Sequence, residues 1–116
     1  MNLIFTSVVL LIFNVAPIFA AELYFVREDG CPWCDVWTEE VGIIYHKTEV
    51  GKSVPLRTFN FDEYNFRRPI LHKAVSFTPT FILVDKGHEI GRIVGFSGEY
   101  QFWGLLDGLL RKCDCI

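Results

Sequence analysis

The chain has 116 residues and a mass of 13.4 kDa, which is enough for one domain and too little for two. Hydrophobic residues make up 51% and charged residues 22%, with a formal net charge of -3. This composition is too apolar for a disordered chain and lacks the basic excess that a nucleic-acid-binding surface needs. Residues 1–20 contain no charged side chain, so all of the charge lies in residues 21–116.

The first 20 residues have the pattern of an export signal. Residues 3–13 form an uncharged apolar run of about the length of a signal-peptide core. Asn14 and Pro17 interrupt this run before it reaches the roughly 20 apolar residues of a membrane-spanning helix. We predict a signal peptide over residues 1–20 that is cleaved after Ala20, with an uncleaved anchor as the alternative. Either outcome exports the rest of the chain.

The first half of the remaining chain is predicted as a strand, a helix and a second strand. Residues 23–26 are β-prone and end in a polar stretch. From Cys31 onward apolar residues recur every three or four positions, which predicts a helix, and Pro32 suits its first position. A second strand is predicted over 54–61. The predicted apolar face of the helix consists of Cys34, Trp37, Val41 and Ile44.

The second half is predicted as a short, irregular helix within 62–76, a strand at 81–84, a hairpin turn to a strand at 90–94, and a last helix capped by Ser97. The predicted order is therefore β-α-β-α-β-β-α. A strand–helix–strand start implies one parallel pair and the hairpin adds an antiparallel one, which indicates an α/β fold. The apolar stripe of the last helix is Phe102, Leu105, Leu106, Leu109 and Leu110.

The segment from Cys31 to Cys34 has the sequence CPWC and lies where the first strand gives way to the helix. At the helix N-cap, unpaired N–H groups and the helix dipole favour a Cys31 thiolate. Cys34 is one turn away and more enclosed, so the spacing predicts an exposed attacking sulfur and a sheltered resolving one. Two other interpretations are a structural crosslink, whose short loop would contribute only about 2 kcal/mol, and half of a zinc site completed by Cys113 and Cys115.

Thr78-Pro79 directly precedes the strongest predicted strand. Proline is disfavoured inside a central strand, and a cis bond that makes a required turn would explain its position here. An ordinary trans turn is the alternative.

With these motifs in this order, the chain resembles the thioredoxin superfamily over about residues 22–111, and within it the SoxS-type periplasmic thioredoxins of sulfur-oxidation operons. The resemblance implies a thioredoxin fold with a mixed four-stranded sheet flanked by helices, and Pro79 in cis beside the sulfurs. It also implies Cys31 as nucleophile and Cys34 as resolving thiol. The segments that carry it are Gly30–Cys34, Phe77–Asp85, Gly91–Ile93 and Phe102–Leu106.

The chain departs from the thioredoxin pattern between the two cysteines, where it has Pro-Trp rather than Gly-Pro. The buried aspartate of thioredoxins has no assignable counterpart, and Glu22 and Asp35 are the candidate proton acceptors near Cys34.

For the SoxS type, the resemblance implies a sulfur-carrier client such as SoxYZ and electrons from a membrane thiol transporter of the CcdA or DsbD kind. We therefore expect a periplasmic, monomeric thiol–disulfide reductase with catalytic Cys31 and Cys34, without cofactor or metal. Trp33, Thr78 and Pro79 would contact the client. The alternatives are a disulfide oxidase or isomerase, a non-enzymatic metal carrier that uses both cysteine pairs, and a membrane-tethered interaction module with an inert disulfide.

We assign residues 21–112 to the domain and 113–116 to a tail. The tail is predicted to be a frayed end with two spare thiols, Cys113 and Cys115; a second redox relay and a soft-metal site are the alternatives. The three histidines, His46, His72 and His88, are predicted at surface or turn positions. Core or half-core packing is predicted for Trp37, Phe102 and Trp103.

Overall fold

The structure, a computed structural model, describes residues 3–12, 21–68 and 72–115. Residues 3–12 are exposed and contain neither helix nor strand, and among the described residues no helix is long and apolar enough to cross a membrane. The predicted cleavage site after Ala20 lies outside these residues. The elements are β1 (Ala21–Arg27), α1 (Pro32–Trp37), a π-helical turn (Thr38–Gly42), α2 (Ile43–Tyr45), α3 (Glu49–Ser53), β2 (Leu56–Asn60), α4 (Phe61–Arg67), β3 (Thr80–Asp85), β4 (His88–Val94) and α5 (Glu99–Cys113).

The four strands form one mixed sheet in the order β2-β1-β3-β4. β1 pairs in parallel with β2 and antiparallel with β3, and β3 pairs antiparallel with β4. The β3–β4 hairpin turns at Lys86 and Gly87, which both have positive φ, as a two-residue hairpin loop requires. The predicted thioredoxin-type fold, with its mixed four-stranded sheet flanked by helices, is confirmed.

Each face of the sheet buries its own apolar cluster, because successive side chains of a strand point to opposite faces. Leu23 and Phe25 of β1 belong to the larger cluster, together with residues of α1 and α5. Val26 of β1 and Tyr64 of α4 belong to the smaller cluster, and Tyr24 packs against it. The face that carries α1 and α5 therefore holds most of the core and positions the cysteines.

The helix after Cys31 contains a π-helical turn at Thr38–Gly42, which sequence periodicity did not predict. Cys34, Trp37 and Val41 are buried as predicted, but Ile44 is exposed and Tyr45 is buried in its place. A π turn takes more residues than an α turn, so the core face moves one position along the chain.

The short helix predicted within 62–76 is α4, which ends at Arg67; residues 72–76 are not helical, and 69–71 lie outside the described residues. Arg68 has extended backbone (ψ 143°) and precedes a proline in the sequence, a position that avoids helical conformation. The N-cap of α5 is Gly98, with φ 110° and no side-chain cap, and not Ser97, because the chain enters this helix through a conformation that glycine alone adopts readily.

The packing predictions hold with two exceptions. Trp37 and Phe102 are buried, Trp103 is half-buried, and His46 and His88 are exposed. His72 is buried, however, and its Nε2 lies 3.0 Å from the Gly87 carbonyl oxygen of the β3–β4 turn. In the α5 stripe, Leu105 is exposed while its four partners are buried.

Candidate functional site

The CPWC segment begins four residues after the last residue of β1, and Gly30 (φ 76°) completes the turn between them. Cys31 is the N-cap of α1 and Pro32 is the first helical residue, both as predicted. The backbone N–H of Cys34 donates a hydrogen bond to Cys31 Sγ over 3.2 Å. The two cysteines form a disulfide with a Cα–Cα distance of 5.3 Å, so the site is in its oxidised form.

Solvent reaches the two sulfur-bearing residues unequally. Cys34 is fully buried, and Cys31 is 9% exposed. The order of accessibility matches the prediction, but Cys31 is far less open than expected because it also belongs to the larger core cluster. Trp33, which lies between the cysteines, is 59% exposed. A molecule that approaches from solvent therefore contacts Trp33 and the small exposed part of Cys31, and it cannot reach Cys34.

Four aromatic side chains belong to the same buried cluster as Cys34: Phe25, Trp37, Phe81 and Phe102. The Trp37 ring is 4.5 Å from Phe25 and 4.8 Å from Phe81, centroid to centroid, and Phe102 lies 5.6 Å from Trp37. Rings at these distances bury large apolar areas in fixed relative orientations. Trp37, the last residue of α1, thus packs this helix onto a set of closely spaced aromatic rings.

Neither predicted proton acceptor lies buried beside Cys34. Glu22 belongs to the sheet face opposite the cysteines, since its neighbour Leu23 points to the Cys34 side, and its carboxylate pairs with Arg57 at 3.4 Å. The Asp35 side chain is about two-thirds exposed and lies 3.7 Å from Arg27. The predicted role for these two carboxylates is not supported by their positions.

Arg27 is a site residue that the sequence reasoning missed. Its guanidinium lies 3.3 Å from Asp29 in the turn before Cys31 and 3.7 Å from Asp35 in the first turn of α1. It therefore ties the turn that precedes the cysteines to the helix that holds them. The sequence gives no sign of this pair of ion contacts, because they form only when the turn and the start of α1 are folded against the end of β1.

Thr78 and Pro79 lie at the same end of the sheet as Cys31. Thr80, the next residue, begins β3 and pairs with Val26 near the end of β1 that leads to the CPWC segment. The Thr78–Pro79 peptide bond is cis. The Pro79 carbonyl accepts a hydrogen bond from the Gly95 N–H at 2.8 Å, which ties this turn to the end of β4.

Phe77, just before this turn, is 70% exposed. The prediction did not include it, although a large apolar residue beside the Thr-Pro pair could have suggested it. Trp33 and Phe77 are thus two exposed aromatic side chains near the end of the sheet that carries the cysteines.

The C-terminal tail differs from the prediction. Cys113 is the last residue of α5, it forms a disulfide with Cys115, and both residues pack against the larger core cluster. They are not spare thiols on a frayed end. The four-cysteine metal site is also wrong, because Cys113 and Cys115 lie near Asp85, at the end of the sheet opposite Cys31 and Cys34.

Comparison with known proteins places this geometry in a family. No protein-family model and no curated protein matches the sequence. Among solved structures, the reduced periplasmic thioredoxin SoxS from Paracoccus pantotrophus is 30% identical with a TM-score of 0.69, over 79% of this chain and 97% of that chain. Trxlp from Edwardsiella tarda EIB202 is 25% identical (TM-score 0.59; 76% and 82% of the two chains). Thioredoxin f2 from Chlamydomonas reinhardtii, at 14% identity and a TM-score of 0.60 over 81% and 80%, shares the fold.

The chain belongs to the thioredoxin superfamily. Within it, the similarity to SoxS extends over nearly the whole of that protein. A thioredoxin fold with a C-x-x-C pair at the start of a helix is the architecture of a thiol–disulfide oxidoreductase, and thioredoxins act on protein substrates.

Proposed function

We propose that the protein is an exported thiol–disulfide reductase that uses Cys31 as nucleophile and Cys34 as resolving thiol. The observation that carries this proposal is the placement of Cys31 at the N-cap of α1, where its Sγ accepts the Cys34 N–H and keeps the only solvent access of the pair. Backbone donors at a helix start stabilise a thiolate, which is the attacking species in disulfide exchange.

In the reduced protein, the Cys31 thiolate attacks one sulfur of a client disulfide. The other client sulfur leaves as a thiolate and takes up a proton, and a mixed disulfide joins the client to Cys31. Cys34 then loses its proton and attacks Cys31 Sγ, which releases the second client thiol. Two electrons pass to the client and the Cys31–Cys34 disulfide remains, which is the form that the structure has.

We propose that the client lies over Trp33 and beside Thr78 and Pro79, with its backbone added as an extended strand. Exposed aromatic area favours contact with apolar client residues, and both Trp33 and Phe77 supply it. The Pro79–Gly95 hydrogen bond holds the turn against β4, so this surface is prepared before a client arrives.

Residues 1–20 are proposed as an export signal, 21–112 as the functional domain and 113–116 as a tail, with the periplasm as destination. The similarity to a protein named as a periplasmic thioredoxin supports this destination. By the same similarity we propose a monomeric enzyme without cofactor whose client is a sulfur-carrier protein such as SoxYZ. A membrane thiol transporter of the CcdA or DsbD kind would re-reduce it.

Two matched variants test the mechanism with insulin as a disulfide substrate and dithiothreitol as reductant. Cys31→Ser should abolish catalysed reduction, because the attacking sulfur is gone. Cys34→Ser should also lose turnover. When this variant is reduced, freed of dithiothreitol and mixed with insulin, it should accumulate a mixed disulfide on Cys31 that mass spectrometry detects and that added dithiothreitol cleaves. Adduct on Cys34 in the Cys31→Ser protein, or turnover retained by it, would reverse the assigned roles.

A further inference from the structure

The end of α5 brings two sulfurs and a carboxylate together, away from the CPWC segment. Cys113 and Cys115 each offer a sulfur and Asp85 offers an oxygen, and these donor atoms lie within 4.8 Å of one another. All three residues are partly buried. Asp85 ends β3, whereas Cys113 ends α5 and Cys115 follows that helix, so the tertiary fold and not local sequence assembles this group.

This group lies at the opposite end of the sheet from Cys31. Asp85 pairs with Ala21, the first residue of β1, while Cys31 follows the last residue of the same strand. Seven residues of β1 separate the two ends, a length of about 20 Å at the usual rise of a strand. The Cys113–Cys115 pair therefore cannot exchange directly with Cys31–Cys34 in this fold, which removes the intramolecular relay as an explanation for it.

Stabilisation of the fold does not explain the pair either. A disulfide acts mainly by closing a loop in the unfolded chain, and its contribution is smaller when that loop is shorter. Cys113 and Cys115 are only two positions apart. A crosslink that spans one intervening residue constrains little, yet these sulfurs are packed against the core beside a carboxylate.

We propose that Cys113, Cys115 and Asp85 form a zinc-binding site when the tail disulfide is reduced. Two thiolates and one carboxylate are ligands that zinc accepts, and three protein ligands leave the fourth tetrahedral position to water. The partial negative charge at the C-terminal end of the 15-residue helix α5 also favours a cation there. Thiolates alone would also suit copper(I), but the hard carboxylate oxygen favours zinc over that ion.

Zinc binding depends on the redox state of the tail. A dithiol reductant gives two electrons and two protons to the Cys113–Cys115 bond and becomes a disulfide itself. The two thiols then lose their protons as zinc binds their sulfurs, so the oxidised protein has only the Asp85 carboxylate to offer. This site does not depend on the proposed reductase activity, since it shares no residue with it.

The experiment uses the full chain with Cys31→Ser and Cys34→Ser, which removes the other two thiols. The protein is reduced with a phosphine, the reductant is removed, and zinc affinity is measured by competition with a chromophoric chelator. Cobalt(II) substitution then reports thiolate ligands through their charge-transfer absorption. Two comparison variants remove ligands: Cys113→Ser with Cys115→Ser, and Asp85→Asn. Asp107→Asn is the matched control, because Asp107 is an exposed aspartate on α5, the helix that ends at Cys113. Circular dichroism and thiol titration establish that each variant is folded and reduced.

We expect one zinc per reduced chain and none per oxidised chain or per chain without Cys113 and Cys115. Asp85→Asn should weaken zinc binding at least about tenfold, since even a supporting ligand partner is worth that much, and Asp107→Asn should not change it. Absence of binding in the reduced protein would overturn the proposal. Equal affinity in the Asp85→Asn and Asp107→Asn proteins would overturn it as well, because the site would then consist of thiolates alone.

Discussion

Cys31, the N-cap of α1, and Cys34, three residues later, have the same side chain but different surroundings. Cys31 caps the helix and accepts a backbone hydrogen bond, whereas Cys34 is fully enclosed by the apolar cluster that contains Trp37. One turn of helix therefore separates a cysteine with slight solvent exposure from one with none. This asymmetry gives the proposed exchange reaction its direction of attack, because a client disulfide can reach Cys31 first.

Tyr45 carries a second effect at the scale of one residue. Its hydroxyl is buried and donates a hydrogen bond to the Val54 carbonyl at 2.7 Å. Burial raises the pKa of Tyr45 well above its ordinary value of 10.0. The folded protein therefore keeps this proton at pH values where the unfolded chain loses it, so the contribution of Tyr45 to stability is complete below pH 10 and declines as the pH rises further.

We predict that Tyr45→Phe lowers the free energy of unfolding at pH 8 by about 1–3 kcal/mol, because the Val54 carbonyl loses its buried donor. Above pH 10 the variant should lose stability less steeply than the original protein, by up to about 1.4 kcal/mol per pH unit. Urea unfolding between pH 8 and 11 measures both effects. Tyr100→Phe, a change at a fully exposed tyrosine, is the control and should follow the original protein. Parallel curves for Tyr45→Phe and the original protein above pH 10 would contradict the assignment.

At the scale of elements, the two helices α4 and α5 begin differently. Asn60 caps α4, and its side-chain oxygen accepts the Asp62 N–H at 3.1 Å. α5 starts from Gly98 without any side-chain cap. The backbone N–H groups at the start of a helix have no partner within it, so a cap residue stabilises the helix only where its side chain reaches them.

Asn60→Ala should therefore lower the free energy of unfolding by about 1 kcal/mol. Ser97→Ala should change it by less than about 0.5 kcal/mol, because Ser97 lies outside the cap position. Chemical denaturation of the two variants beside the original protein measures both differences. A loss in Ser97→Ala as large as that in Asn60→Ala would mean that α5 begins one residue earlier.

Sequence patterns predict the elements of this fold well where the signal is local. The order of elements along the chain, the parallel β1–β2 pair, the antiparallel β3–β4 pair and the N-cap position of Cys31 follow from periodicity, turn residues and helix-start chemistry. The π turn that buries Tyr45 in place of Ile44 does not, because one extra residue in a turn leaves the spacing of apolar residues nearly unchanged. The buried His72 contacts the carbonyl of Gly87, which is 15 residues away in the sequence. Arg27 contacts both Asp29 in the turn and Asp35 in α1, which requires the turn and the helix to be folded together. Contacts of this kind depend on how the chain folds and leave no trace in the periodicity of the sequence.

At the scale of the whole molecule, one sheet separates two cysteine pairs. The CPWC segment and the Thr78–Pro79 turn lie at one end, and the Cys113–Cys115 pair lies at the other, near Asp85. The pairing of β1 with β3 therefore places the Thr78–Pro79 turn beside the CPWC segment. The same pairing places Asp85, and with it the tail, at the other end of β1. The two proposed thiol sites can coexist on so short a chain because β1 separates them.

The double variant Cys113→Ser with Cys115→Ser should keep the insulin-reduction rate of the original protein. Its free energy of unfolding should fall by no more than about 2 kcal/mol, since so short a loop contributes little. Steady-state turnover and urea unfolding of the variant measure the two quantities. A tenfold loss of turnover in a protein that remains folded would instead support a relay between the two pairs, in a conformation other than this one.

The reduction potential of the Cys31–Cys34 pair tests the proposed reductase most directly. The protein without Cys113 and Cys115 is equilibrated with mixtures of a dithiol and its disulfide, and the fluorescence of Trp33 and Trp37 reports the fraction oxidised. A reductase requires a potential near the thioredoxin value of about -270 mV, and this is the result that we predict. A potential near the DsbA value of about -120 mV would mean that the protein introduces disulfides, and would contradict both the reductase and its sulfur-carrier client.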